Sequence, residues 1–202
     1  MKTGIFGGAF NPVHKGHTAS LFAFIKSAAP QKVLVIPSYI SPHKEAPKLT
    51  ASFEHRCEMC ALAFPKNVDG CEVIISDIEK TLFLENGDRS YTYKTVETLL
   101  NNGEENLCMF VGSDMFLTLD TWKKADFILS TCEIYTVARD EGEDEKLLDF
   151  SKKLQKRFKT RKIQIINTPP TPASSTDARA GAMTLLDSRV KDYIHEKGIY
   201  NE

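Results

Sequence analysis

The chain has 202 residues, 42% hydrophobic and 26% charged, with 26 Lys+Arg against 27 Asp+Glu for a formal net charge of -1. At about 150 residues per domain this length reads as one domain, 1–202, able to bury a core without disulfide staples. The charge balance excludes a general polyanion binder, so no nucleic-acid partner is expected, while a small phosphate site built from a few cations and N–H groups remains compatible with it.

Thr3 to Phe6 is a short apolar strand that breaks at Gly7-Gly8. From about His17 to Ala29 the residues Leu21, Phe22, Phe24, Ile25 and Ala28 recur at helical spacing. Lys32 to Pro37 (KVLVIP) reads as a fully buried strand, and Ser38 to Leu49, with Pro42 and Pro47, reads as loop. Ser52 to Ala63 is predicted helical, with Phe53, Arg56, Met59, Cys60 and Ala63 among its turns. Val73 to Ser76 is a strand, and Tyr93 to Leu100 a helix that Asn101-Asn102-Gly103 terminates. Asn106 to Val111 is a buried strand ending at Gly112, followed by a short helix over Phe116 to Ala125 and a strand over Cys132 to Ala138.

Asp140 to Lys162 divides into an acidic half and a basic half, and Leu147, Leu148, Phe150, Leu154 and Phe158 suit a surface helix. Its basic half reads as a solvated face, because Phe158, the one aromatic among those charges, belongs to the apolar side. A strand over Lys162 to Asn167, a Pro-rich stretch over Thr168 to Pro172 and a helix from about Ser188 to Glu196 complete the chain. Apolar strands alternating with helices imply an α/β fold, a doubly wound, Rossmann-like parallel sheet with helices on both faces.

The longest apolar stretches, Met59 to Pro65, Leu21 to Ile25 and Val33 to Pro37, fall far short of the roughly 18 residues a membrane span needs, so no membrane partner is expected. The 5 cysteines are an odd count, more comfortable in a reducing compartment. The N-terminus runs into a motif with no apolar leader, and a cytoplasmic location is the expectation.

In doubly wound sheets, ligands bind at the carboxyl ends of the strands. There the first strand delivers Gly7-Gly8-Ala9-Phe10-Asn11-Pro12-Val13-His14-Lys15-Gly16-His17. Adjacent glycines let backbone approach a phosphate, and two histidines three apart share one face at a helix start, where the dipole favours anions. Taken alone, the pair also reads as a metal site lacking a third ligand, or as residues that cap and fill. A second cluster, Ala173-Ser174-Ser175-Thr176-Asp177-Ala178-Arg179, combines hydroxyls at a helix start with an arginine able to fork onto phosphate, or else is an ordinary N-cap. Pro42-His43-Lys44 adds a cation after the second strand.

Gly-Gly-x-Phe-x-Pro-x-His-x-Gly-His at 7–17, together with Ser-Ser-Thr-x-x-Arg at 174–179, resembles the nucleotidyltransferase superfamily that transfers AMP or CMP. Further segments resemble the nicotinate-nucleotide adenylyltransferase family in particular. They are Ile36-Pro37 with Pro42-His43-Lys44, Arg56-x-x-Met59, Glu79 with Ser90-Tyr91-Thr92-Tyr93-x-Thr95, Val111-Gly112-Ser113-Asp114 with Trp122, and Val190-x-x-Tyr193-Ile194 with Gly198-Ile199-Tyr200. The likeness spans essentially the whole chain; it departs where the family usually has threonine, aspartate and isoleucine and this sequence has Ala9, Asn11 and Ala173.

The resemblance implies that a mononucleotide 5′-phosphate attacks the α-phosphorus of ATP, with nicotinate mononucleotide as acceptor. It assigns His14, His17, Lys44 and Arg179 to catalysis. It places Gly7, Gly8, Phe10, Gly112, Asp114, Ser175 and Thr176 with them around ATP, and Gly8, Ala9, Lys44, Thr92 and Trp122 around the mononucleotide. Mg²⁺ is implied as a cofactor carried by ATP, with no protein metal ligand. Trp122 reads either as core filling or as a ring stacked on the cationic pyridinium, worth about 1–2 kcal/mol. Small enzymes of this family often self-associate, so a homo-oligomer is compatible with the sequence. Four other readings compete: nicotinamide mononucleotide as acceptor, alone or beside nicotinate mononucleotide; phosphopantetheine as acceptor; a regulatory nucleotide binder that has lost turnover; and a zinc fragment at Cys57-x-x-Cys60 with His55, for which no further ligand pair stands out.

Overall fold

A computed structural model of the protein describes residues 1–40, 50–87, 89–138, 142–168 and 173–200. Strand β1 (Lys2–Gly8) leads into helix α1 (Lys15–Ala28), followed by β2 (Lys32–Pro37), α2 (Phe53–Ala63), β3 (Asn67–Val68) and β4 (Cys71–Ile75). Then come α3 (Ile78–Asn86), α4 (Thr92–Asn101), β5 (Asn106–Phe110), α5 (Ser113–Phe116), α6 (Ala125–Thr131) and β6 (Glu133–Val137). The last elements are α7 (Glu143–Arg157), β7 (Ile163–Ile166), α8 (Ser175–Arg179) and α9 (Ser188–Lys197).

The strands form one sheet in the order β3-β4-β2-β1-β5-β6-β7, parallel throughout except for the antiparallel edge pair β3–β4. Without that two-residue edge strand, the order is that of a doubly wound sheet whose direction of winding reverses between β1 and β5. Both faces are covered, and strand residues alternate between two apolar layers. Phe6, Val33, Val35 and Tyr135 pack with α1, α2 and α9 on one side. Ile5, Leu34, Ile36 and Ile134 pack with α4, α6 and α7 on the other.

β1 approaches α1 closely at Gly4. A Cβ there would lie 2.8 Å from Val33 Cγ2 and 3.0 Å from the Phe24 ring, both of them fully buried side chains.

Two segments differ from the sequence expectation. The single helix expected over Phe116 to Ala125 is instead α5, a 3₁₀ turn at Leu119–Thr121, and α6. Thr118 and Thr121 turn their hydroxyls onto the carbonyls of Met115 and Thr118, and Lys124 is left-handed at φ 54, which breaks the helix before α6. α7 stops at Arg157, and Phe158 caps it in extended backbone before β7. Helix α3 and edge strand β3 carry no sequence expectation. α3 buries no residue fully, so it leaves no apolar stripe to read.

Gly4→Ala is expected to overpack the β1–α1 contact by about 1–3 kcal/mol. Urea unfolding checks this, as a lower midpoint at unchanged slope.

Candidate active site

The segment joining β1 to α1 is too irregular to satisfy its own backbone, and distant residues do so instead. Phe10 is left-handed at φ 47 with its ring buried, and the Asn11–Pro12 peptide is cis. The carbonyl of Ala9 accepts from Arg56 Nη1 at 2.8 Å, that of Asn11 from Arg179 Nη1, and that of Pro12 from Ser175 Oγ at 2.8 Å. Asn11 Oδ1 accepts both the Ala51 N–H at 3.0 Å and the Tyr200 hydroxyl at 2.6 Å.

His14 is the N-cap of α1. Its N–H donates to His17 Nδ1 at 3.2 Å, and the two imidazoles lie 3.7 Å apart, centroid to centroid. Because His17 Nδ1 is the acceptor, the neutral ring carries its hydrogen on Nε2. The Phe10 ring meets His17 edge-on at 5.0 Å. Gly16 is what lets these groups crowd the helix start: a Cβ there would stand 3.1 Å from His14 Nδ1 and 3.3 Å from Ala173 Cβ. Ser174 caps α8 by accepting the Asp177 N–H at 3.0 Å, and Arg179 Nη2 also reaches Thr176 Oγ1 at 3.3 Å. Across the gap, Asp114 Oδ1 accepts the Met115 N–H at 2.9 Å. Ser113 beside it is buried, with no partner for its hydroxyl among the described residues.

Between these groups lies a cavity of about 410 Å³ at the point where the sheet reverses its winding. Gly7, Gly8, Ala9, Phe10, His14, His17, Gly112, Asp114, Ser175, Thr176 and Arg179 all line it, so the structure gathers the two sequence clusters on one site.

Thr92 and Trp122 do not line that cavity. They sit near one another at the start of α4 and the turn before α6, where Lys123 Nζ stands 4.7 Å from the ring of Tyr91, next to Thr92. Trp122 is partly buried against the second apolar layer and its Nε1 reaches Thr118 Oγ1 at 3.4 Å. Lys44 lies outside the described residues.

Sequence reasoning assigned no role to Asn11, Arg56 or Tyr200. For Arg56 the signal was a cation on the apolar face of α2, beside Met59 and Cys60. The other two showed only as a departure from the family pattern and as part of a closing segment.

Among the described residues the Cys57/Cys60 pair gains no third metal ligand. His55 Nδ1 is engaged with the Tyr193 hydroxyl at 2.9 Å, and among the described residues no three His, Cys, Asp or Glu side chains group to hold a metal. Burial pushes the Cys57 thiol up to about 11 and that of Cys132 up to about 12.

Residues 5–181 match the Cytidylyltransferase-like family, which makes the fold and site those of a nucleotidyltransferase. A probable nicotinate-nucleotide adenylyltransferase of Moorella thermoacetica is 32% identical over 98% of this chain and 91% of its own length. One of Carboxydothermus hydrogenoformans is 32% identical over 98% of both. The structure of Plasmodium falciparum nicotinic acid mononucleotide adenylyltransferase complexed with NaAD shares the fold at a TM-score of 0.73, with 19% identity over 98% of this chain and 97% of that one. The chain belongs to the nicotinate-nucleotide adenylyltransferase family.

Cys60, Cys71, Cys108 and Cys132 are buried and should be slow toward thiol reagents in the native state, with half-buried Cys57 the first to react. At pH 8 a colorimetric thiol titration should label those four within minutes only after denaturant is added. Rapid labelling of more than one thiol in the native protein would contradict the burial described.

Proposed function

We propose that this protein transfers the AMP moiety of ATP to nicotinate mononucleotide, forming nicotinate adenine dinucleotide and pyrophosphate. The observation that carries the reading is the close-set His14/His17 pair at the N-terminus of α1, its rings tilted 31° to one another, facing Ser175 and Arg179 across a cavity at the reversal of the sheet.

In the reaction, an oxygen of the mononucleotide 5′-phosphate forms a bond to the α-phosphorus. The bond from that phosphorus to the bridging oxygen breaks, and pyrophosphate leaves with the electron pair. The attacking oxygen is already anionic, so the site needs alignment and charge neutralisation and no general base. His17 donates from Nε2 to the α-phosphate, where negative charge gathers, with His14 beside it. Arg179 spends two N–H groups on Asn11 and Thr176 and keeps others for the β- and γ-phosphates. Lys44 is assigned to the same neutralisation, and Ser175 and Thr176 to hydrogen bonds beside it. Gly7, Gly8 and Phe10 frame the triphosphate, and Asp114 beside Gly112 accepts from the adenosine ribose.

Asp114 is the one carboxylate lining the cavity among the described residues. Mg²⁺ therefore fits here as an ion brought by the triphosphate and held by phosphate oxygens and water, neutralising charge on the leaving group. The mononucleotide extends from Gly8 and Ala9 across the β1–β2 side toward Thr92 and Trp122, whose indole stacks on the pyridinium. No helix among the described residues is long and apolar enough to cross a membrane.

The test is pyrophosphate release with Mg-ATP and, in parallel, nicotinate mononucleotide, nicotinamide mononucleotide and phosphopantetheine. Preference for the nicotinate substrate is expected. Turnover with phosphopantetheine alone overturns the acceptor, and ATP binding without turnover on any of them favours a regulatory role.

His17→Ala is expected to lower kcat by about 10²–10³-fold. The variant also loses the acceptor for the His14 N–H, about 1 kcal/mol or about 2–4 °C of Tm, so it should remain folded at assay temperature. Near-normal turnover would remove His17 from the mechanism.

A further inference from the structure

Arg56 is the one lysine or arginine buried among the described residues, at 6% exposure. A cation taken out of water is costly unless its N–H groups are satisfied and its charge is answered. Arg56 meets the first condition on main-chain carbonyls alone. Besides the Ala9 carbonyl, Nη1 donates to the Ser38 carbonyl at 2.7 Å, and Nε donates to the Ala51 carbonyl at 3.3 Å. These carbonyls belong to three segments: the exit of β1, the exit of β2, and the approach to α2.

Burial is the larger influence on the Arg56 guanidinium and holds it below its ordinary value; Glu79, on the first turn of α3, adds a smaller opposing pull through space. Glu79 Oε2 accepts the Tyr39 N–H at 3.1 Å. Arg56 thus holds the C=O, and Glu79 the N–H, of one peptide group, the Ser38–Tyr39 bond. Ser90 Oγ receives the Tyr39 and Ile40 N–H groups at 3.2 Å each and also hydrogen-bonds the Glu79 carboxylate, tying the peptide to the residues just before α4. The Tyr39 ring is held between Phe53 and Phe83, 5.2 and 5.0 Å away. Burial raises the Glu79 carboxyl above the usual carboxylate range, against the pull of those bonds and of Arg56.

An apolar pair would fill the same space without the desolvation cost. What an apolar pair could not do is orient one peptide group from both ends, which takes a donor for its C=O and an acceptor for its N–H. That peptide is where the chain leaves β2 toward Lys44, and the Ala9 carbonyl is gripped by the same guanidinium. The Ser38–Tyr39 peptide and Ser90, which Arg56 and Glu79 hold, lie at the exit of β2 and just before α4, while the Ala9 carbonyl belongs to the loop that Ser175 and Arg179 also brace.

We propose that Arg56 and Glu79 are positioning residues for the mononucleotide half of the site. They clamp the Ser38–Tyr39 peptide and the Ala9 carbonyl, and through Ser90 they couple that clamp to the start of α4, so that the acceptor phosphate and ring are presented in line while ATP binding is left alone. The inference rests on the placement of the acceptor given under Proposed function.

The test is steady-state kinetics of Arg56→Lys, Glu79→Ala and Glu79→Gln in the full chain, with Tm recorded for each. Lysine keeps the charge but cannot reach three carbonyls in a fixed fork. Arg56→Lys and Glu79→Ala are expected to raise KM for the acceptor at least tenfold while KM for ATP stays within twofold. Glu79→Gln, which keeps an acceptor for the Tyr39 N–H, should recover most of that loss. Equal rises in both KM values, or a fall in Tm with neither KM changed, overturn the proposal and leave the pair a structural role only. If Arg56→Lys fails to fold, the two Glu79 variants decide by the same criteria. Should the wild-type enzyme favour another 5′-phosphate acceptor, the comparison is made with that acceptor. In that case the functional reading fails while the positioning claim is still decided.

Discussion

Residues 9–12 occupy the point where the sheet reverses its winding, and the carbonyls of Ala9, Asn11 and Pro12 are bonded by side chains rather than by backbone N–H groups. Arg56, Ser175 and Arg179 supply those partners, and Ala51 and Tyr200 converge on the Asn11 side chain. Hydrogen bonds from charged donors to such groups are worth about 1.5–3 kcal/mol each, and a buried carbonyl left without one costs a comparable amount. The shape of this one loop therefore draws on residues from 51 to 200. That is the physical reason two motifs at opposite ends of the chain belong to one site. The Ser-Ser-Thr-x-x-Arg segment braces the very loop whose histidines it faces.

The sheet supplies the rest of the geometry. Parallel strands aim their carboxyl ends, and the amino ends of the following helices, toward one edge, so α1 brings its positive pole and its capping histidine to the reversal point. Charges far from that edge do less. Lys153 and Arg157 on α7 pair with Asp120, and Lys152 pairs with Asp149, contacts worth about 0–1 kcal/mol each at the surface. Each of those three cations of α7 is thus answered by a carboxylate.

Legibility in the sequence follows burial. Lys32–Pro37 is bounded as read because the apolar run Val33–Pro37 ends in proline, and both faces of the strand are covered. The Phe116–Ala125 segment is misread because Phe116, Leu119 and Ala125 are all buried and suggest continuity. The breaks between them come from threonine hydroxyls and a left-handed lysine, which leave no apolar signature. At the site, the histidines and the Ser-Ser-Thr-x-x-Arg segment are legible because ligand chemistry constrains side-chain type. The Arg56 clamp is not, because its partners are carbonyls, which every residue possesses. Thr92 and Trp122 both lie outside the lining of the main cavity, a separation that spacing along the chain cannot reveal.

The central claim is that His14 and His17 form one anion site at the start of α1. Nitrogen-15 NMR of the imidazole rings during titration with a non-hydrolysable ATP analogue tests it most directly. Both histidines should shift together along one binding curve, while His55, engaged with Tyr193 away from the cavity, stays still. Saturable binding of the analogue, confirmed by calorimetry, with neither ring of the pair responding would contradict the account.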